Sequence, residues 1–489
     1  MHSTTQPFLK ILANFFRECS VNTYIVGGYL RDMLLERQGQ DIDLAVHGDA
    51  LFLGNLIADK FSGTCIPLDR KRGIARVIVS LGGTESHIID LTSFSGEIIE
   101  DLAYRDFTIN ALALPLEEIG RANLVTEIID PFGGVDDLHN GLIQAVQTEI
   151  FVDDPLRLLR AARLARQLGF SIGEQTRLLI ERDALLLNSQ AGERQREELL
   201  YLLDPPGAFS GLMLLDQLGL LQIIFPDIAL GRGVEQPKEH YWDVFEHNLQ
   251  CVLAVEEVIH QRSATLGREQ ALEFVPWEKT TATYFAAEGG NRWPRATLLK
   301  LAALFHDVAK PHTKKTDPNG RLRFIGHNTF GARLVETMAE RIRLSSRSVQ
   351  FLCTLVRQHL RPSQMSQPSK MPTSRAVYRF FRDSGDAAVA VLYLNLADYL
   401  AARGPNLDLD EWRQHVEIVK FILQERHNEI ERALLPLVNG YDLMREFSLP
   451  PGRHIGLLLN AIQEAQATGE LITSEQAYTM ARRILPRLV

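Results

Sequence analysis

Over its first ~145 residues the chain alternates short apolar runs with amphipathic ones, the pattern of strands and helices taken in turn. Tyr24-Ile25-Val26 predicts a short strand, Gly27-Gly28 breaks it, and Tyr29 to Glu36 predicts a helix. Ile42 to Val46 predicts a second strand, and Ala75 to Leu81 and His87 to Leu91 two more. From Asp154 onward the period changes: strand signals nearly vanish and Leu/Ala/Arg/Glu-rich helical spacing runs to the C-terminus. Arg262 to Arg295 mixes Gly, Thr, Glu and isolated aromatics without clear period and predicts an inserted loop. Arg361 to Ser374 predicts another, and Arg403-Gly404-Pro405 a boundary.

Composition narrows the class. At ~150 residues per domain, 489 residues suggest about three domains. With 45% hydrophobic and 23% charged residues, the chain is apolar enough to bury a core, which excludes wholesale disorder. No uncharged apolar run approaches the ~18 residues that span a bilayer. Lys10, Asn14 and Arg17 break the N-terminal apolar stretch, so no signal peptide is expected. Cys19, Cys65, Cys251 and Cys353 are scattered with no CxxC pair, which argues against a disulfide framework or a structural zinc site. The expectation is a cytoplasmic protein with reduced thiols. A net charge of −9 argues mildly against nonspecific coating of nucleic acid and leaves room for a local basic groove.

The first chemical constellation is YIVGGYLRDMLLERQGQDIDLAV. A strand running through Gly27-Gly28 into a helix lets backbone N–H groups approach an anion, and Arg31 can pair with phosphate. Alone this is common to many α/β folds, and the dinucleotide fingerprint GxGxxG is absent. Asp41 and Asp43 sharpen it: residues i and i+2 of a strand face one side, so the carboxylates project together while Ile42 points inward. Two such acids repel unless a cation lies between them, and Mg²⁺ prefers carboxylate and phosphate oxygens. The bland alternative is a solvated polar strand end; the adjacent Gly-Gly-Arg unit favours the site. Asp90, on a separate strand, either completes that site or is an ordinary exposed strand acid.

GGYLRD at 27–32 followed by DID at 41–43 resembles nucleotidyltransferases of the DNA polymerase β type, specifically the bacterial CCA-adding tRNA nucleotidyltransferase and poly(A) polymerase family. RDFTINALAL at 105–114 resembles that family's ribose-recognition motif, and DPFGGVDDL at 130–138 its head–neck hinge. DDPLRLLRAARLARQLGF at 153–170 resembles its base-reading motif, and ERQREEL at 193–199 the helix-stabilising one that follows. The resemblance covers roughly two-fifths of the chain, with long motifs in order and so far more specific than any single short pattern. It implies an α+β fold: a small nucleotidyltransferase head at 1–146, then a helical neck at 147–235. Asp41, Asp43 and Asp90 are the implied catalytic acids, with Mg²⁺ on the first two. Gly27, Gly28, Arg31, Asp32, Arg105, Asp106 and Asn110 are implied for the nucleotide.

Asp154 and Arg157, three apart at a helix start and so expected on one face, would read the base. A carboxylate accepts from the amino group of cytosine or adenine, and a guanidinium donates to their ring acceptors. Arg160 and Arg163 would make phosphate or base contacts, while Arg166 is assigned to a solvated face. Three positions depart from the family pattern. Asp153 stands where Glu is frequent, and Gln144 where Arg is frequent after the hinge. The segment between Asp90 and Arg105 is also too short for the long flexible loop that CCA-adding members carry there.

A second constellation lies downstream. His247, His306-Asp307, His327, His359 and Asp398 follow in the order H…HD…H…H…D. A buried His-Asp pair inside an apolar helix needs a partner, and imidazole with carboxylate suits a divalent transition metal better than Mg²⁺. The order resembles HD-type metal phosphohydrolases, which implies an HD domain at 236–405. GYDLMREFSLPPGRHIGLLLNAIQEAQATGELITSEQAY at 440–478 resembles the C-terminal helical region of the nucleotidyltransferase family, which implies a helical tRNA-binding tail at 406–489. His247, His306, Asp307 and Asp398 would hold one metal, and His327 with His359 a second. His240, His260 and His312 are assigned no role. The expected partners are the tRNA acceptor end, CTP and ATP, with the product leaning to CC over full CCA. A poly(A) polymerase shares every head motif. A silent RNA-binding protein, or an HD hydrolase alone, is disfavoured by the intact acids and base reader.

Overall fold

The computed structural model describes residues 5–37, 41–80, 86–120, 124–204, 206–265, 267–366, 370–432 and 436–487. By density of contacts the chain divides into two units. One comprises residues 1–190 with 217–223, the other 191–216 with 224–489.

The first unit is built on a six-stranded sheet. Its strands are β1 (Thr23–Val26), β2 (Asp41–His47), β3 (Thr64–Asp69), β4 (Ile74–Ser80), β5 (Ser86–Phe94) and β6 (Ala113–Pro115), in the spatial order β3-β4-β5-β2-β1-β6. β2 and β5 run parallel and the other neighbours antiparallel. β4 shows why the pattern works: Ala75, Val77 and Val79 are fully buried while Ile74, Arg76 and Ile78 face the other side. Helix Ala50–Lys60, capped by the Asp49 carboxylate, lies flush on the buried face. A Cβ on Gly54 would come within 2.9 Å of Cys65 Sγ, so glycine sets that close approach.

Several boundaries differ from expectation. The first glycine-rich helix spans Gly27–Leu34, so the two glycines open the helix, Gly27 with φ +66°. Leu81, expected to end β4, lies outside the described residues. Neither β3 nor helix Ala50–Lys60 stands out in the sequence, β3 because it is an edge strand with four of six residues exposed. Helix Arg157–Leu168 falls in the same contact unit as the sheet.

The second unit is helical. Helices Arg295–Phe305 and Ala388–Arg403 are apolar nearly all round and buried accordingly. Packed with them are helices Val244–His260 and Ser346–Gln358, and helix His327–Arg341 packs against the latter. Towards the C-terminus follow Leu409–Arg432, Gly440–Phe447, Arg453–Ala467 and Ser474–Ile484, the last three around their own small core of Leu443, Leu458, Ile462 and Ala477. The stretch expected to be one loop from Arg262 to Arg295 holds helices Glu269–Phe274 and Lys279–Ala286 and a ribbon of Glu288–Gly290 with Trp293–Pro294. Helices of six and eight residues are too short to show a period. Their buried anchors Leu272, Phe285 and Trp293, with the buried Arg268–Glu257 ion pair at 2.8 Å, hold them instead. The second expected loop also contains a helix, Arg361–Met365, entered through Pro362 in its first turn, and Thr373 caps the next helix at Ser374. Residues 367–369 of that stretch lie outside the described residues.

Candidate functional site

In the first unit, strand register assembles the acids. Asp43 on β2 pairs directly with Asp90 on β5, and Asp90 with Arg76 on β4. These three side chains lie in a row across adjacent strands, with Asp41 two residues along β2 on the same face. Asp90 is thus no isolated strand acid. Arg76 grips it with a two-pronged bond, Nε to Oδ1 at 2.8 Å and Nη2 to Oδ2 at 2.7 Å, and reaches Asp41 Oδ2 at 3.2 Å. The sequence reading missed Arg76; its signal is a lone cation at an alternating position of an otherwise apolar strand.

Gly27 is required at this row. A Cβ there would sit 3.1 Å from both Asp43 Oδ2 and Arg105 Nη1, besides the strain of φ +66°. The helix opened by Gly27-Gly28 directs the Tyr29 N–H to Asp43 Oδ2 at 3.2 Å. Burial nevertheless pushes the Asp43 carboxyl up to about 6, with Asp90 and Asp41 adding to the rise. Burial raises Asp41 as well, against the pull of Arg76. A face of acids strained this way, with oxygen donors only, fits Mg²⁺ better than a softer metal.

The remaining head motifs hold one another. Arg31 is buried, pairs with Asp32 at 2.7 Å and donates to Asn110 Oδ1 at 2.8 Å. Asn110 Nδ2 donates to Asp106 Oδ1 at 2.9 Å, and Arg160 pairs with Asp106 Oδ2 at 3.0 Å. Burial pushes the Asp106 carboxyl up, but Arg160, Asn110 and the Phe107 N–H together hold it below the usual range. A continuous chain of polar contacts therefore ties the glycine-rich helix to the turn Thr108–Asn110 and on to the helix Arg157–Leu168. Arg105 pairs with Asp101 at 3.0 Å.

Asp154 and Arg157 do not share a helix face. Asp154 sits in extended backbone before the helix, which begins at Arg157, and its Oδ1 accepts from the Leu156 N–H at 3.2 Å. Proline at 155 keeps residue 154 out of helical geometry. The Arg157 guanidinium donates to the carbonyls of Tyr104 at 2.6 Å and Ile150 at 3.3 Å. Arg163 donates to Gln167 Oε1 at 2.8 Å. Gln144 has a structural task, taking the Thr176 hydroxyl at 3.1 Å. One cavity of about 1260 Å³ brings these groups together: Gly27, Gly28, Arg31, Asp32, the three acids, Arg105, Asp106, Asn110, Asp154, Arg157, Arg160 and Arg163 all line it. Arg72, from the turn between β3 and β4, lines it too and had not been singled out.

The second unit gathers the histidines and both acids. Asp307 lies at the centre. Its Oδ2 is 3.4 Å from His247 Nε2 and 3.3 Å from His306 Nε2; its Oδ1 is 3.2 Å from His327 Nε2 and 3.8 Å from His359 Nε2. Asp398 Oδ1 is 3.1 Å from His247 Nε2. The His-Asp pair follows the helix end at Phe305, where the sequence had suggested a mid-helix place. That position has a use. His306, His327 and His359 each turn Nδ1 to the carbonyl three residues back, at 2.8, 2.6 and 2.7 Å. An Nδ1–H donated there leaves the Nε2 lone pair facing inward, the tautomer a metal requires. Asp307 Oδ1, although buried, accepts no hydrogen bond. Two three-residue groups that could each hold a metal ion, His247/His306/Asp307 and Asp307/His327/His359, share the one carboxylate, and their imidazole-rich donors would suit a transition metal better than Mg²⁺. Lys310, whose Nζ lies 2.5 Å from Asp307 Oδ2, and His240, whose ring centroid lies 5.2 Å from that of His247, border the cluster. His240 had been set aside; nothing in a single sequence separates it from a packing histidine.

Three family models match successive parts of the chain. Residues 23–144 match the family described as "Poly A polymerase head domain", 169–230 "Probable RNA and SrmB- binding site of polymerase A", and 280–403 "HD domain". Over its full length the chain is similar to solved structures: a Thermotoga maritima CCA-adding enzyme complexed with tRNA (21% identity, TM-score 0.61, 99% of this chain and 96% of that one) and a CCA-adding enzyme with ATP (20%, 0.65, 99% and 95%). A CC-adding tRNA nucleotidyltransferase of Thermus thermophilus is 32% identical over 93% of this chain and 92% of its own. An A-adding tRNA nucleotidyltransferase of Deinococcus radiodurans is also 32% identical, over 94% of each. With about a third of its residues shared along nearly the whole length of such relatives, the chain belongs to the tRNA nucleotidyltransferase family.

Proposed function

We propose that this protein adds two cytidines to the 3′ end of tRNA, using CTP and Mg²⁺. Equal identity to CC-adding and A-adding relatives does not choose between products. The observation that carries the choice is the segment from Asp90 to Arg105. β5 runs to Phe94, a short turn follows, and helix Ile98–Ala103 fills the remainder. A long flexible loop that would swing Asp154 and Arg157 from a cytosine to an adenine geometry has no place there. A separate partner would then supply A76.

Asp41 and Asp43 would hold Mg²⁺, which would supply neutralising charge for the triphosphate and a lowered pKa for the RNA 3′-hydroxyl; that oxygen bonds to the α-phosphorus as the bond to the leaving pyrophosphate breaks. Asp154 accepts from the cytosine amino group, and Arg157 donates to the ring acceptors. Arg31 and Asn110 fix the wall along which the ribose lies, and Arg105 and Arg72 face the phosphates. The HD cluster would be a second, metal-dependent phosphohydrolase site, and the tail at 406–489 would grip the tRNA body. The four-part division of head, neck, HD domain and tail is functional, laid over two units of contact. A cytoplasmic location suits a tRNA substrate; no helix among the described residues is long and apolar enough to cross a membrane.

The test is single-nucleotide resolution of products on tRNA ending before C74, with CTP and ATP present together. The expected product ends at C75. Efficient appearance of A76 overturns the CC reading, A added alone to tRNA ending at C75 makes the enzyme A-adding, and long A tails on unrelated RNA make it a poly(A) polymerase.

A further inference from the structure

Of the three acids in the head, Asp90 stands apart by how its oxygens are used. Arg76 takes both of them, Oδ1 through Nε and Oδ2 through Nη2. Asp41 gives only Oδ2 to Arg76, at 3.2 Å, and Asp43 only Oδ2 to the Tyr29 N–H. Among the described residues, Oδ1 of Asp41 and of Asp43 accepts no hydrogen bond. A hard cation needs an uncommitted oxygen lone pair, and a carboxylate forked by a guanidinium has its two best directions occupied.

We infer that Arg76 is a built-in cation that withdraws Asp90 from the metal site and steadies Asp41, leaving Asp41 and Asp43 alone as metal ligands. Charge supports it. Three carboxylates with one guanidinium and one divalent ion come to neutrality, whereas a further cation would face a site already balanced. Arg105, the other cation near Asp43, is matched by its own acid, Asp101. Position supports it as well. Arg76 is held in place by strand register, directly across from Asp90 on β4 and β5, so its grip does not depend on a flexible loop. Arg76 therefore acts through the two carboxylates it touches and is a positioning residue. Asp90, its partner, transmits that effect and does not itself bind the ion.

This inference rests on the reading of Asp41 and Asp43 as the metal pair. Both can be tested by titrating full-length protein with Mn²⁺ and following the free ion by electron paramagnetic resonance. The Mn²⁺ binding lost in the Asp41→Asn/Asp43→Asn double variant defines the head's share; if none is lost, the metal reading falls and the inference with it. In otherwise unaltered protein, Asp90→Asn is expected to change the head's Mn²⁺ affinity by less than about twofold. Arg76→Gln is expected to tighten it about tenfold by releasing Asp90 as a third ligand, within the range that ligand-supporting groups exert on metal affinity. Adding Asp90→Asn to Arg76→Gln should abolish that gain, and because Asp90→Asn keeps the shape of the side chain, the double variant separates loss of the ligand from misfolding. Arg76→Lys, which keeps the charge and loses the fork, should fall between. An Asp90→Asn that weakens Mn²⁺ tenfold in the unaltered background, or an Arg76→Gln that leaves affinity unchanged, overturns the inference.

Discussion

The two candidate metal centres are assembled by opposite means. In the head, strand register lines up carboxylates on an open face, where the Asp41 side chain is 36% exposed. In the helical unit, ends and faces of several helices converge on Asp307, and the His247 and His306 side chains are fully buried. The first offers oxygen donors countered by Arg76 and Arg105; the second offers imidazoles, of which those of His306, His327 and His359 have their outer nitrogens pinned to backbone carbonyls. An open oxygen site suits an ion that comes and goes with a triphosphate, and a closed imidazole site suits one that stays. The same chain thus builds an oxygen-lined candidate site on a sheet and an imidazole-lined one among helices.

The strongest way to break this comparison is to remove one centre and watch the other. Asp43→Ala should lower cytidine addition at least about 10³-fold, the scale expected when a transition-state metal loses a principal ligand. Metal retained after gel filtration, measured by mass spectrometry, should not change. Addition within tenfold of the unaltered protein would remove Asp43 from the site.

The converse experiment counts ions. His359→Ala should cost one of two retained transition-metal ions and Asp307→Ala both, because the two groups share that carboxylate. Cytidine addition restored by Mg²⁺ alone should be intact in each. Equal metal content in all three proteins would make the cluster a packed polar core.

A histidine outside the cluster sharpens the contrast within the helical unit. His415 is buried, stacked on Tyr399 at 4.5 Å, and its Nε2 has no hydrogen-bond partner. Burial pushes its pKa down to about 4 from 6.5, against the opposing pull of an Asn395 backbone contact and Asp398 and with a smaller push from Arg403. The folded ring stays neutral where the unfolded one charges, so stability is full above pH 6.5 and falls as the pH drops towards 4. The loss across that window is about 3 kcal/mol. The urea midpoint of unaltered protein should therefore fall more between pH 7.5 and 5 than that of His415→Phe; identical falls would place His415 in contact with solvent.

How much of this was legible in the sequence depends on range. Asp41 and Asp43 could be read because strand alternation is local, and the glycine pair because a strand-to-helix turn is local. Arg76 could not, since its meaning lies in a register across three strands that only the folded sheet sets. The histidines could be gathered by type and order, but their inward tautomer depends on helix ends at Phe305 and Gln358 that periodicity leaves uncertain by a residue or two. Asp154 and Arg157 were right in membership of the cavity and wrong in geometry, because Pro155 delays the helix. The segments mistaken for loops failed for want of length: helices of five to eight residues show no period.

The base reader gives the smallest expected effect and the finest test of the head. Arg157 spends two donors on the carbonyls of Tyr104 and Ile150, which aim the guanidinium at the cavity. Cytosine presents acceptors at N3 and O2 to such a donor and an amino group to Asp154. Uracil presents an N3–H and a carbonyl at the same places and leaves both side chains mismatched. The cost of mismatch, more than the gain from the match, sets the discrimination. Arg157→Ala removes that cost on the guanidinium side, so the ratio of kcat/KM for CTP over UTP should fall about tenfold, by more than kcat/KM for CTP itself falls. Arg157→Lys, which keeps a charge without the fork, should recover CTP use better than it recovers the ratio. If instead all four nucleotides lose equally, the two carbonyl contacts are the whole task of Arg157: it ties the Tyr104 and Ile150 backbones together, and selection of the base falls to Asp154 and the cavity wall.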